Sequence, residues 1–401
     1  MISSTSRHAR GLCTLLLLIV PQVVFAVELD MREGVTAMSQ DIHWLHTVML
    51  WVCIVIGIIV FGAMGYTIVA HRRSKHPEPA NFHEHLGVEI VWTLIPVLIL
   101  AVLAYPAAKM LSEIEDNSDA ALTVLITGSQ WKWHYQYLEH DIGFYSNLST
   151  PREQINSCGG WLLADTFCEL PDGDSAAGKA ERDANEHYLL EVDNPLVLPS
   201  NRKVRFLTAS NDVIHSWWVP DFAVKQDAIP GFINEAWTNV PKTGTYRGQC
   251  TELCGKDHAF MPVVVEVRTE DEFDQWIEDQ RIAKELASGQ AVADREKTWT
   301  LAELKSIGEG VYLANCATCH QPNGAGQGTT YPALDGGEIA IGPMAAHIDR
   351  VMNGKAGTEM QSWAPQLSDR DIAAVITYER NAWSNQPDDN IVQPLTIFEY
   401  R

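Results

Sequence analysis

The sequence predicts a multidomain protein: a two-helix transmembrane hairpin, then an all-β sandwich, then a small all-α unit. Three observations carry this. Two apolar runs, Trp44 to Ala70 and Leu86 to Ala108, are each long enough to cross a hydrocarbon core of ~30 Å. From Ala121 the chain turns to short β-rich runs, separated by turn signals such as Pro199-Ser-Asn201 and Pro241-Lys-Thr-Gly244. Beyond Thr298, helical stretches flank Cys316-Ala-Thr-Cys319-His320 and a Gly-rich segment, 323–328.

The 401 residues suit two or three units. Residues 1–26 read as a signal peptide: Arg7, His8 and Arg10, then the apolar run Leu12 to Val20, then a small residue, Ala26, after which cleavage is expected. The alternative is an uncleaved extra transmembrane helix. The hairpin and its N-terminal segment occupy 27–111, the sandwich 112–268, a helix and linker 269–297, the all-α unit 298–384 and a tail 385–401. Between the spans, His71-Arg-Arg-Ser-Lys75-His is basic, and the positive-inside rule places it in the cytoplasm. Everything after about Leu111 then lies outside the plasma membrane. Acids outnumber bases 51 to 29, which argues against nucleic acid and for a basic soluble partner.

Glu89 is an acid near the cytoplasmic end of the second span, in Glu89-Ile-Val-Trp92-Thr-Leu-Ile-Pro96. Such a group is costly in lipid unless it faces protein or water, so it is a functional candidate. The bland alternative is a carboxylate snorkelling to the interface.

The candidate strands are 122–127, 131–137, 188–192, 204–209, 235–239 and 263–267. A long segment, Glu139 to Glu186, holds Cys158 and Cys168, which outside the membrane are expected to pair as a disulfide. Thr269-Glu-Asp-Glu272 is a capping box, and Phe273, Trp276 and Ile277 form one apolar stripe behind it. This predicts a helix to about Ser288, a stop at Gly289 and a hinge over 289–297.

Two stretches carry chemistry. Cys250-Thr-Glu-Leu-Cys254-Gly-Lys-Asp-His258-Ala-Phe-Met261 gathers two thiols, an imidazole and a thioether, a soft ligand set that favours copper. His215, in His215-Ser-Trp-Trp-Val-Pro220 at the end of a strand-like run, supplies a second imidazole. Together they overfill one copper but suit two coppers bridged by both sulfurs, and Glu252 can add its backbone carbonyl. A zinc site would have no use for Met261, and a Cys250–Cys254 disulfide is the other reading. The second stretch, Cys316-Ala-Thr-Cys319-His320, is the attachment signal for c-type haem, with His320 for the iron. A thioredoxin-like reading of it would need a βαβ context, which is absent.

C-x-E-x-C-x3-H-x2-M with H-S-W-x-V-P upstream closely resembles the binuclear CuA site of the cytochrome c oxidase subunit II family. The resemblance implies a cupredoxin-like sandwich with His215, Cys250, Glu252, Cys254, His258 and Met261 as copper ligands. It also implies a magnesium ion near Glu252 at the boundary with subunit I. Gly128-Ser-Gln-Trp131-Lys-Trp133-His-Tyr135 resembles the family's aromatic segment, in which the tryptophan at the position of Trp131 lies where electrons enter. Trp133 and Tyr135 read equally well as core. The E-x-x-W-T-x-x-P pattern at Glu89 resembles that of a glutamate near the mouth of a proton channel.

Residues 298–383 resemble a class I cytochrome c domain. Its second axial ligand should be a methionine, since His–Met ligation raises the potential of a haem used for electron transfer. Met344, Met352 and Met360 are the candidates. Met360 precedes Leu367-Ser-Asp as the family's ligand does, although Gln361 stands where a proline is usual. Together the parts resemble subunit II of caa3-type oxidases in a bacterial inner membrane. The implied path runs from an external cytochrome c through one covalent haem c and CuA to subunit I, where dioxygen is reduced with proton translocation. The rival readings are a CuA subunit of another haem–copper reductase, such as one for nitric oxide, and a membrane-anchored copper carrier.

Overall fold

The computed structural model describes residues 30–78, 83–150 and 187–401. The expected signal-peptide cleavage site and the expected Cys158–Cys168 disulfide lie outside them. The hairpin is α1 (Ala37–Ala70) and α2 (Leu86–Ile114), of 34 and 29 residues. At 1.5 Å per residue they are about 51 and 44 Å long, more than a bilayer core requires. Their large apolar side chains, such as Ile58, Phe61, Trp92 and Val102, are mostly exposed, as befits faces meant for lipid or another subunit.

Both outer ends of the hairpin are pinned to the sandwich. A capping box starts α1: Thr36 Oγ1 accepts from the Ser39 amide and Ser39 Oγ from the Thr36 amide, both at 3.0 Å. Thr36 Oγ1 also donates to the Phe222 carbonyl at 3.1 Å. Past the end of α2, Lys203 Nζ donates to the Asp116 carbonyl at 2.7 Å. Glu89 lies in the first turn of α2, where its carboxylate accepts from the His85 amide at 3.0 Å. A helix N-terminus favours such an acid.

Among the described residues, ten strands form two five-stranded sheets. They are β1 (Leu122–Ser129), β2 (Lys132–Tyr137), β3 (Ile142–Ser146), β4 (Leu196–Pro199), β5 (Lys203–Ser210), β6 (His215–Val219), β7 (Val224–Ala228), β8 (Asn234–Asn239), β9 (Gly244–Cys250) and β10 (Pro262–Arg268). One sheet runs β3-β2-β1-β5-β8 and the other β4-β10-β9-β6-β7. Val124, Ile126, Trp133, Tyr135, Phe206, Trp217 and Val265 fill the space between them and are fully buried. The expected sandwich is thus present.

The candidate strand at 188–192 is not. Leu189 has φ +60°, a left-handed conformation that interrupts an extended run, and Val192 makes only an isolated bridge to Leu148. Strands β3, β4, β6, β7 and β9 were not among the expected runs, and His215 begins β6 rather than ending a strand.

The expected stop at Gly289 and the hinge after it are also overturned. Helix α3 runs unbroken from Glu270 to Glu296. A mid-helix glycine costs only ~1 kcal/mol relative to alanine. The last turns are held by contacts outside the helix, with Arg370 Nη1 on Asp294 at 3.2 Å and Arg295 Nε on Asp369 at 2.8 Å. At its other end, Phe273 and Trp276 pack on Tyr137 of the sandwich. The connection between the two units is therefore a strut.

The all-α unit consists of α4 (Leu301–Asn315), α5 (Met344–Asn353), α6 (Asp369–Asn381) and α7 (Pro394–Tyr400), with one-turn helices between α4 and α5. Tyr312 of α4 stacks its edge and face against Tyr378 of α6 and Trp383. The expected tail contains α7, whose Ile397 is fully buried, while Arg401 Nε reaches Asp369 at 2.5 Å. Residues 385–401 thus complete this unit's core.

Candidate metal centre and haem pocket

Strand pairing assembles the metal centre. The β6 and β9 strands are antiparallel with Trp217 opposite Cys250, which brings His215 at the start of one to Cys250 at the end of the other. The loop leaving Cys250 returns at Pro262 of β10, opposite Gln249, so Met261 arrives at the same edge. Cys250 Sγ lies 3.8 Å from Cys254 Sγ and 4.0 Å from His215 Nδ1. Cys254 Sγ is 3.4 Å from His258 Nδ1 and 3.5 Å from Met261 Sδ. The Glu252 carbonyl is 3.3 Å from Cys250 Sγ, and the rest of that residue is exposed. All six residues expected from the sequence therefore share one cluster.

The donor set fits copper. The two sulfurs are far beyond disulfide bonding distance, ~2.05 Å. Yet their separation is less than two metal–thiolate bonds of ~2.3 Å, so an ion on either side can touch both. His215 is fully buried, and its Nε2 lies 2.9 Å from Asp212 Oδ1, which leaves Nδ1 to face the sulfurs. A carboxylate behind a ligating imidazole fixes its tautomer and orientation. Burial alone would depress His215, but Asp212 and the Cys250 sulfur hold it above its ordinary value. The Cys250 thiol is held well below the usual thiol range, first by its hydrogen bond with Cys254, and Cys254 is pushed up by the same bond. One thiolate is thus already favoured. Gly128 makes room: a Cβ there would lie 2.7 Å from His215 Cδ2.

Asp212 was not foreseen, although a carboxylate three residues before a ligating histidine was a visible signal. Its replacement by alanine is expected to weaken copper binding roughly 10–100-fold. Competition with a copper chelator measures this; unchanged affinity would deny Asp212 an orienting role.

A cavity of about 1,090 Å³ lies between the sandwich and the all-α unit. Cys316, Cys319, His320 and Met360 line it from one side, and Gln130, Trp131 and Lys132 from the other. His320 Nδ1 is 2.9 Å from the Pro332 carbonyl, so that nitrogen is engaged and Nε2 is left for another partner. Met352 is buried in the helical core and Met344 packs against it, and neither lines the cavity. The cavity's size, the paired thiols and the oriented imidazole fit a covalently held haem. Burial raises the Cys316 thiol well above its ordinary range.

Trp131 is half-buried and belongs to both sites. Its Nε1 donates to the Cys254 carbonyl at 3.2 Å while the residue lines the cavity. Gln130, which the sequence did not single out, donates Nε2 to the same carbonyl at 2.8 Å. Lys132 is buried against the Trp363 and Tyr145 rings, and burial lowers its ammonium to about 8. Trp133 and Tyr135 are fully buried core residues.

Comparison with known proteins places this arrangement. Residues 24–110 match the transmembrane domain of cytochrome c oxidase subunit II, and residues 174–268 match its periplasmic domain. A probable cytochrome c oxidase subunit 2 of Rickettsia felis is 35% identical over 250 residues, 62% of this chain and 71% of the relative. The chain belongs to the cytochrome c oxidase subunit II family. Subunit 2 of Cereibacter sphaeroides is 34% identical to this subunit II over 62% of this chain and 79% of its own length. The crystal structure of the periplasmic domain of the Bradyrhizobium japonicum subunit II is 36% identical, covering 41% of this chain and 96% of that one, with a TM-score of 0.31. Residues 303–378 match cbb3-type cytochrome c oxidase subunit III. This subunit II is therefore a two-pass membrane protein with a copper domain and a fused cytochrome c domain, part of a haem–copper oxidase.

Proposed function

We propose that this subunit II receives electrons from an external cytochrome c at its own haem domain and delivers them through its copper pair to subunit I. His215, Cys250, the Glu252 carbonyl, Cys254, His258 and Met261 hold the two coppers of CuA. Cys316 and Cys319 would anchor one haem c through thioethers, and His320 and Met360 would ligate its iron. When bound, both groups supply one-electron redox chemistry at potentials that the protein tunes. The exposed Glu252 carboxylate is available to a magnesium ion at the boundary with subunit I. The hairpin sits in the bacterial inner membrane with the basic loop at 71–76 inside, which puts both electron sites on the periplasmic side. Glu89, at the cytoplasmic end of α2, then faces the proton-uptake side of subunit I. Outside the spans, domain boundaries at 112, 269 and 298 keep each redox site in its own unit, with 385–401 added to the last.

The observation that carries this reading is the double placement of Trp131, bonded to the carbonyl of Cys254 and lining the cavity with Cys316. A tryptophan there serves this chain's own haem domain, since that domain covers it. The test is absorption and EPR spectroscopy of the purified full chain, matured with haem and loaded with copper. Low-spin c-type bands with a near-infrared mixed-valence copper signal are expected. A mononuclear copper signal would sink the CuA assignment and favour a copper carrier.

A further inference from the structure

Hydrogen bonds join the sandwich to the haem-bearing unit on two sides of the cavity. Lys256, between Cys254 and His258, donates Nζ to the carbonyl of Thr318 at 2.8 Å, inside the segment Cys316 to His320. On the other side Gln361, next to Met360, donates Nε2 to the Gln130 carbonyl at 3.0 Å, and Gln130 in turn bonds the Cys254 carbonyl. Gln366 Nε2 donates to Gln361 Oε1 at 2.9 Å, which fixes the direction of the Gln361 amide. Lys132 Nζ of the sandwich adds a cation–π contact, 4.6 Å from the Trp363 ring centre.

We propose that Lys256 and Gln361 are positioning residues that lock the haem-bearing unit onto the copper loop, so that electrons cross between the two sites within one docked chain. The proposal rests on the site assignments made above. Each crossing is a one-electron exchange: the haem-bearing unit is oxidised and the copper pair reduced, and no bond or proton at Lys256 or Gln361 changes. The α3 strut fixes the far end of the all-α unit through Arg295–Asp369 and Asp294–Arg370. The end beside the copper loop is held by Lys256, Gln361 and the Lys132–Trp363 contact. A bond from an ammonium is stronger than one between neutral groups, so Lys256 should contribute more than Gln361. Lys256 is exposed and Gln361 half-buried, so neither core depends on them.

The experiment uses the full chain in detergent, loaded with haem and copper, as wild type, Lys256→Met, Gln361→Leu, the double variant and Lys256→Arg. The haem is reduced by a light pulse through a photoreductant, and its reoxidation is followed against the near-infrared copper band. Hydrogen exchange is read in parallel at residues 128–133, 316–322 and 355–363. In the double variant, reoxidation is expected to slow roughly 30-fold, the change that losing two net hydrogen bonds makes in a docking equilibrium. Exchange at the three segments should rise, both spectra should persist and Lys256→Arg should stay close to wild type. A double variant with the wild-type rate and wild-type protection overturns the proposal. Loss of either spectral signature in the wild-type chain overturns the site assignments as well, which keeps the two failures distinct.

Discussion

Replacing Cys254 by serine is expected to reduce oxygen consumption by the assembled oxidase by more than about 100-fold, with the haem bands intact. Losing a group that merely supports a ligand costs roughly 10–100-fold in metal affinity or activity, and removing a ligand itself should cost more. Cys254 is also the hub of the cluster: its sulfur is within 3.8 Å of Cys250, 3.4 Å of His258 and 3.5 Å of Met261. A serine hydroxyl is a harder donor than thiolate and is not ionised at neutral pH, so it cannot bridge two soft copper ions. The fold should survive the change, since Cys254 sits on a loop at the sandwich edge and serine is of similar size. Oxygen uptake and the near-infrared copper band are the measurements. Turnover within tenfold of wild type would remove Cys254 from the ligand set and with it the bridged pair.

The parts of this site that were legible in the sequence are those the chain keeps close together. Cys250, Cys254, His258 and Met261 fall on one loop, and Cys316, Cys319 and His320 on one turn, so spacing alone reports them. Met360 could be chosen only with the aid of family resemblance, and His215 only by looking upstream for a missing imidazole, because distant strands and helices bring them in. Gln130, Lys256, Gln361 and the Pro332 carbonyl were invisible as partners, since their contacts join residues 12 or more positions apart and obey no local period. The errors in the fold have local causes of the same kind. Gly289 reads as a stop until one sees that Asp294 and Arg295 are anchored by Arg370 and Asp369. Residues 385–401 read as a tail because the helices α7 packs on, α6 and α3, lie elsewhere in the sequence. Leu189 breaks a β-rich run through a backbone angle that its side chain does not announce.

Gly308→Ala is expected to destabilise the haem domain by about 3 kcal/mol, the upper end for an overpacked core. On propensity alone the change should help, because alanine favours a helix interior by ~1 kcal/mol over glycine. Packing decides otherwise. Gly308 is buried where α4 crosses α6, and its added Cβ would lie 2.0 Å from the Ala374 carbonyl oxygen and 2.7 Å from Tyr378 Cβ. The first obstacle is backbone within a helix, so the side chain cannot simply swing away. Relief requires α4 and α6 to separate, which loosens Tyr312 against Tyr378 and unseats the segment that begins at Cys316. For a unit of this size the loss corresponds to a fall of roughly 12–24 °C in the midpoint of thermal unfolding. Following the haem Soret band and the copper band in one thermal scan separates the two units: the haem transition should move, while the copper domain, which holds none of these atoms, should stay. An unshifted haem transition would mean that the two helices can part at little cost, and the close crossing would then not be what holds the haem domain together.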